Sequence, residues 1–152
     1  IGLLLSKKLK MAFEDLDEKI ETKESLTIKK IFDLKGEEYF RKIEENESLK
    51  IIEGKNKVIA LGGGTFINEN VRQNIKKLCL SVWLDLTPKE IFGRIKNNNA
   101  RPLLRNVKSE KDIEKIYLSR KKIYALADYR VDCAYKNKKQ IADEINKVYE
   151  NI

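Results

Sequence analysis

Four short apolar runs, separated by charged segments with helical spacing, constrain the fold of this chain more than any other feature of the sequence. The runs are continuous, contain β-branched or aromatic residues and stop at turn signals, which predicts strands buried on both faces of a sheet. Strands that alternate with helices are typical of a parallel α/β sheet, in which ligands bind at the carboxyl ends of the strands. The runs cover residues 11–13, 58–61, 80–85 and 129–134.

The segments between these runs predict helices. One start signal is strong, because Thr87-Pro88-Lys89-Glu90 combines a capping box with proline at the first helical position. Gly36 is expected to divide one helical segment into two helices. A length of 152 residues suits one domain with its own core, so we predict a single domain over residues 1–152. The helical patterns cover residues 1–10, 26–53, 68–78, 89–96, 112–127 and 140–152.

Composition narrows the chemistry that the chain can perform. Histidine is absent, which excludes Ser–His catalysis and zinc sites that need imidazole. Lys and Arg number 32 against 24 Asp and Glu, and this net charge of +8 indicates either a solvated surface or an anionic partner. Aromatic residues do not interleave with basic clusters, so a small anionic ligand is favoured over nucleic acid.

Cysteine spacing and hydropathy bear on where the protein works. Cys79 and Cys133 form neither a Cys-x-x-Cys pair nor a disulfide framework, which favours a reducing cytoplasm. No apolar run approaches the roughly 20 residues that a membrane span needs. We therefore expect a cytoplasmic protein that does not cross a membrane.

Two residue clusters follow predicted strands, where such a fold places its chemistry. Asp15 and Asp17 could hold a hydrated Mg²⁺ and accept a hydroxyl proton, or they could simply stabilise the start of a helix. The three consecutive glycines at 62–64 could bring backbone N–H groups close to a ligand, or they could only form a tight turn.

The longest polar segment between helices covers residues 97–110 and is predicted to be a lid loop. Arg101 precedes Pro102 in this segment. Its guanidinium could clamp a phosphate bidentately, or it could be a solvated loop arginine.

Taken in order, these features resemble the shikimate kinase family of the P-loop, nucleoside-monophosphate-kinase-like superfamily. The order and the spacing both agree, and the resemblance covers essentially the whole chain. The matching segments are Phe13-x-Asp15-x-Asp17, Gly36-Glu37-x-x-Phe40-Arg41, Leu61-Gly62-Gly63-Gly64, Arg94 with Arg101-Pro102 seven residues later, Ser119-Arg120-x-x-x-Tyr124 and Ala127-Asp128.

The resemblance implies ATP-dependent phosphorylation of the 3-hydroxyl of shikimate, a step of aromatic amino-acid biosynthesis. Asp17 would hydrogen-bond the accepting hydroxyl and act as the base. Arg41 and Arg120 would bind the shikimate carboxylate, a role that suits the guanidinium group. Gly63 and Gly64 would contact the ring hydroxyls through the backbone.

On the nucleotide side, the resemblance implies roles for four further residues. Asp15 would lie near the water shell of Mg²⁺. Arg101 would close over the phosphates and stabilise developing charge, while Arg94 and Pro102 would flank the nucleotide. Members of this family are generally monomers, and a monomer is expected here.

One part of the family pattern does not occur in the sequence. No Gly-x-x-x-x-Gly-Lys-Ser/Thr is present, and the nearest Gly-Lys, at Gly54-Lys55, precedes a strand instead of following one. The resemblance implies a three-layer, five-stranded parallel sheet whose first, central strand leads into that loop. We therefore expect an N-terminally truncated chain, about ten to twenty residues short, that is inactive by itself.

Two alternative functions remain open from the sequence. One is a related small-molecule kinase of the gluconate-kinase type, because gluconate is also a carboxylate. The other is a domain that binds shikimate without catalysis.

Overall fold

A computed structural model of the chain describes residues 1–96 and 107–152. Within these ranges, helices and strands alternate as the sequence predicts, with seven α-helices and four β-strands. The strands are β1 (Ala12–Asp15), β2 (Lys57–Ala60), β3 (Val82–Asp85) and β4 (Tyr129–Asp132). The helices are α1 (Gly2–Leu9), α2 (Leu16–Glu24), α3 (Ile28–Ile52), α4 (Glu69–Leu78), α5 (Pro88–Ile95), α6 (Glu110–Tyr124) and α7 (Lys138–Glu150).

All four strands pair in parallel, in two ladders. β1 pairs with β2, with Phe13 opposite Val58, and β3 pairs with β4, with Trp83 opposite Arg130. Within the described ranges no ladder joins the two pairs. The prediction of parallel α/β structure is confirmed, but burial on both strand faces is wrong for residues such as Leu84, which is 40% exposed.

Local capping explains where most helices begin. The predicted capping box at Thr87 is confirmed, with Thr87 Oγ1 accepting from Glu90 N and the Glu90 carboxylate accepting from Thr87 N. Helix α2 is absent from the predicted helical segments, but a helix does start at Asp15, which caps it, as one of the two interpretations of Asp15 and Asp17 expected. Gly36 breaks α3 as predicted, because its φ of 84° and ψ of 168° lie outside the helical region.

Two hydrophobic cores lie on different sides of the strands. The first is formed by α2, α3 and α4, with Leu16, Ile20 and Ile31 fully buried. The second is formed by α1, β4 and α7. Val58 of β2 and Val82 of β3 both pack against this second core, which thereby links the two ladders. Helices cover both sides of the strands, as a three-layer α/β architecture requires.

The starts of β3 and β4 are tied together by one carboxylate. Asp128 Oδ2 accepts from both the backbone N–H and the hydroxyl of Ser81, and Asp128 N donates to Ser81 Oγ. These hydrogen bonds lower the pKa of Asp128 below its ordinary value.

Within residues 1–96 and 107–152, no helix combines the length and the apolar character that crossing a bilayer requires.

Candidate active site

The three glycines at 62–64 form the loop that follows β2, at the carboxyl end of the strand. Gly62 O accepts from Thr65 N at 3.1 Å, which starts a short 3₁₀ turn over Thr65–Ile67. None of the three has a positive φ, so conformational freedom is not what the loop requires of them. What they provide is room, because side chains of the predicted acceptor site stand directly against the loop.

Each glycine lies beside a different residue of the predicted acceptor site. A Cβ built on Gly62 would stand 3.6 Å from Asp17 Oδ1, and one on Gly63 would stand 3.2 Å from Arg120 Nη1. On Gly64 it would overlap the guanidinium of Arg41, at 2.9 Å from Cζ. The structure therefore brings Asp17, Arg41 and Arg120 together around one loop, from sequence positions that are far apart.

The two aspartates have different surroundings at the start of α2. Asp15 ends β1 and caps the helix, with its Oδ1 accepting from the N–H groups of Asp17 at 2.9 Å and Glu18 at 3.3 Å. Asp17 is exposed on the first turn of the helix, next to Gly62.

A buried carboxylate holds Arg41 in place. Glu44, one helical turn after Arg41, is 5% exposed and accepts from Arg41 Nη1 at 2.6 Å through Oε2. Its other oxygen accepts from the buried hydroxyl of Thr65 at 2.8 Å. Glu44 thereby connects α3 to the segment just after the glycines, and Arg41 keeps a side-chain exposure of 32%.

Sequence reasoning missed Glu44 and Thr65. The signal for Glu44 was present in its spacing from Arg41, since an acid three residues after an arginine on a helix is a natural ion-pair partner. Nothing in the sequence indicated that Thr65, 21 positions away, completes the network.

Helix α6 contributes two side chains to Gly63. Arg120 and Tyr124 are one turn apart on the same face, and the Tyr124 hydroxyl donates to the carbonyl oxygen of Gly63. The ring of Tyr124 lies 6.0 Å from that of Trp83 and 6.5 Å from that of Phe66. The aromatic contacts fix the end of α6 against β3 and the glycine loop.

Two backbone amides of the loop are available to a ligand. Among the described residues, neither the N–H of Gly63 nor that of Gly64 has a hydrogen-bond acceptor. Neighbouring N–H groups of this kind bind oxygen atoms of anions and hydroxyls. Together with two guanidinium groups and a carboxylate, they suit a small polyhydroxylated acid.

Of the residues predicted to flank the nucleotide, the structure describes Arg94. Arg94 is exposed in the last turn of α5, and its charge acts on Cys133, whose thiol pKa is raised mainly by burial. Arg101 and Pro102 lie outside the described residues, as does most of the predicted lid. The last residue of the predicted lid segment, Glu110, is helical, because α6 begins there and is capped by Ser109.

In the described ranges, no group of three or more acidic or cysteine side chains could enclose a metal ion. Asp15 still offers one carboxylate at the carboxyl end of β1. A single carboxylate is compatible with Mg²⁺, which keeps several waters and commonly uses one or two carboxylates together with substrate phosphates.

The family model and the relatives reported below share one family name. A family model described as shikimate kinase matches residues 1–150. The chain is 39% identical over 145 residues to the shikimate kinase of Persephonella marina. The aligned region covers 95% of this chain and 87% of that protein. The chain is also 39% identical over 132 residues to the shikimate kinase of Aquifex aeolicus, with coverages of 86% and 77%.

Solved structures agree with these relatives. A shikimate kinase from Acinetobacter baumannii, in complex with shikimate, superposes with a TM-score of 0.93 at 26% identity, covering 99% of this chain and 84% of that one. The crystal structure of the Aquifex aeolicus shikimate kinase gives a TM-score of 0.82 at 33% identity, with coverages of 99% and 88%.

Proposed function

This chain belongs to the shikimate kinase family, and we propose that it phosphorylates the 3-hydroxyl of shikimate with ATP as the donor. The observation that carries the proposal is the convergence of Asp17, Arg41 and Arg120 on the glycine loop. These groups match shikimate, which presents one carboxylate and three hydroxyls.

Asp17 is proposed as the base for the accepting hydroxyl. Its carboxylate takes the proton of the 3-hydroxyl as that oxygen forms its bond to the γ-phosphorus of ATP. The bond between the γ-phosphorus and the bridging oxygen breaks, and ADP leaves. In such a loose transition state positioning contributes most of the rate, so the location of Asp17 beside Gly62 matters as much as its basicity.

Arg41 and Arg120, which lie beside Gly64 and Gly63, are proposed to bind the substrate carboxylate together. Arginine suits this role because its planar fork donates two parallel hydrogen bonds to a carboxylate. Arg41 reaches the loop already ordered by Glu44, so less conformational entropy is lost when substrate binds. The N–H groups of Gly63 and Gly64 would donate to ring hydroxyls.

The donor side of the reaction is proposed on the family pattern. Arg101 would stabilise charge on the transferred phosphoryl group, and Arg94 and Pro102 would flank the nucleotide. Asp15 would hold Mg²⁺ through its water shell, and the ion would neutralise phosphate charge. Within this chain, Asp15 also orders the first turn of α2 and thereby positions Asp17.

We also propose that the protein works as a cytoplasmic monomer. Both cysteines are unpaired thiols, and Cys133 is buried, which suits a reducing compartment. Size-exclusion chromatography with light scattering tests the oligomeric state. The expected result is the mass of a single chain, which is 17.7 kDa for these 152 residues.

The function is tested by a coupled assay of ADP release with shikimate and ATP. The assay uses the protein as its gene encodes it. We expect Asp17→Asn to lower kcat by about 10²- to 10⁴-fold. Glu18→Gln, which alters the neighbouring exposed carboxylate, is the matched control and should retain activity.

The same assay distinguishes the alternative functions. Phosphorylation of gluconate in preference to shikimate would contradict the proposed substrate. Calorimetric binding of shikimate without any phosphoryl transfer would indicate a binding domain instead of a kinase.

A further inference from the structure

Tyr124 stands in the substrate site without a role in the proposed reaction. It is the last residue of α6, half-buried, and its hydroxyl reaches the glycine loop. Its partner is the carbonyl oxygen of Gly63, which shares a peptide unit with the N–H of Gly64.

That hydrogen bond sets the orientation of the peptide between Gly63 and Gly64. The described residues contain no cis peptide bond, and in a trans peptide the carbonyl and the N–H point in opposite directions. Once the carbonyl faces Tyr124, the N–H of Gly64 is directed to the opposite side. Glycine has the widest conformational freedom of any residue, so a run of three depends on outside contacts to fix its peptide planes.

Other contacts of the loop do not fix this peptide. The hydrogen bonds from Thr65 N to Gly62 O and from Ile67 N to Gly64 O hold the peptides on either side of it. Among the described residues, the Gly63 carbonyl has Tyr124 as its side-chain donor. The aromatic packing of Tyr124 on Trp83 and Phe66 holds the phenol in place to make the bond.

We propose that Tyr124 is a positioning residue that orients the Gly63–Gly64 peptide so that the Gly64 N–H donates to shikimate. The inference rests on the proposed function, because it assigns that N–H to the same acceptor site. Since Arg120 lies one turn before Tyr124, the same hydrogen bond also keeps the Arg120 guanidinium close to Gly63.

The test compares Tyr124→Phe with Tyr117→Phe. Phenylalanine keeps the ring that packs on Trp83 and removes only the hydroxyl. Tyr117 lies on the same helix, and its hydroxyl faces Asp85 Oδ2 at 3.5 Å and not the loop, so it is a matched control. Shikimate affinity is measured by calorimetry, and KM values for shikimate and ATP by the coupled assay.

We expect Tyr124→Phe to weaken shikimate binding about 3- to 10-fold, the worth of one ordinary hydrogen bond. KM for ATP should stay near that of the parent protein, and the thermal midpoint should fall by no more than the loss of one hydrogen bond implies. Tyr117→Phe should bind shikimate normally. Equal affinity of Tyr124→Phe and the parent protein would overturn the inference, and so would an equal loss in both variants.

A second measurement follows the peptide itself. The sequence contains seven glycines, so ¹⁵N-glycine labelling gives few and resolvable amide signals. Saturation with shikimate should shift the Gly64 signal in the parent protein and shift it less in Tyr124→Phe. An identical shift in both proteins refutes the inference. Failure of the parent protein to bind shikimate at all would instead refute the proposed function, and the inference with it.

Discussion

Adding one methyl group to each glycine of the loop should produce graded losses of shikimate affinity. The alanine Cβ would meet Asp17 Oδ1 at 3.6 Å in Gly62→Ala, Arg120 Nη1 at 3.2 Å in Gly63→Ala and Arg41 Cζ at 2.9 Å in Gly64→Ala. The first distance is an ordinary van der Waals contact, and the last is shorter than carbon atoms tolerate. The loss should therefore increase from Gly62 to Gly64.

The size of the Gly64→Ala effect follows from what Arg41 must give up. Carbon atoms pack at about 3.5 to 4.0 Å, so the guanidinium must retreat by at least about 0.6 Å. Its bonds to Glu44 are already 2.6 and 3.1 Å, and the retreat weakens its proposed contact with the substrate carboxylate. A hydrogen bond to a charged group is worth about 1.5 to 3 kcal/mol, which predicts about 10- to 150-fold weaker binding.

Calorimetric titration of shikimate into the three variants, without ATP, measures the series. Gly62→Ala is the internal control and should bind within about threefold of the parent protein. A Gly64→Ala variant that binds as tightly as Gly62→Ala would refute the argument that the glycines are there to make room for the arginines.

Three further substitutions test the structure through stability. Glu44→Gln should lower the free energy of unfolding, measured by urea denaturation, by about 1 to 3 kcal/mol, because Arg41 loses a charged partner. The control is Glu38→Gln, at an exposed carboxylate of the same helix, which should change this free energy little. Gly36→Ala should cost about 1 to 3 kcal/mol, since alanine is strained at φ 84°, while Gly93→Ala in α5 should be neutral or stabilising. Asp128→Asn should lower the free energy of unfolding at pH 7 by about 1 kcal/mol, because its carboxylate accepts two hydrogen bonds from Ser81. Since the pKa of Asp128 is depressed in the folded state, this contribution is present above about pH 4 and is lost as the pH falls further. The acid denaturation curves of the two proteins should therefore converge.

The elements that could be predicted from the sequence are those with strong local signals. Thr87-Pro88 defines the start of α5 by its own capping chemistry, and Gly36 breaks α3 through its own backbone conformation. Helix α2 could not be predicted in this way. It is only nine residues long and mostly charged, and it is held by burial of Leu16 and Ile20 against α3 and α4.

The candidate site likewise contains residues that the sequence predicts and residues that come together only on folding. Asp17, Arg41 and Arg120 could be predicted from the resemblance, and the glycine loop brings all three together. The support of Arg41 by Glu44 and Thr65 could not, because Thr65 meets the other two groups only after the chain folds. Their contribution is visible in burial and hydrogen bonding, and neither is recorded in a local sequence pattern.

The separation of the two hydrophobic cores has a consequence for local opening of the protein. The elements of the first core carry Asp17, Arg41 and the glycines. Helix α6 carries Arg120 and Tyr124. Its one buried residue, Ile113, belongs to neither core. Such a helix can detach in a sub-global fluctuation that leaves both cores intact. A substrate carboxylate held by both Arg41 and Arg120 would then connect the first core to α6. Substrate binding should therefore slow amide hydrogen exchange along α6 more than in either core.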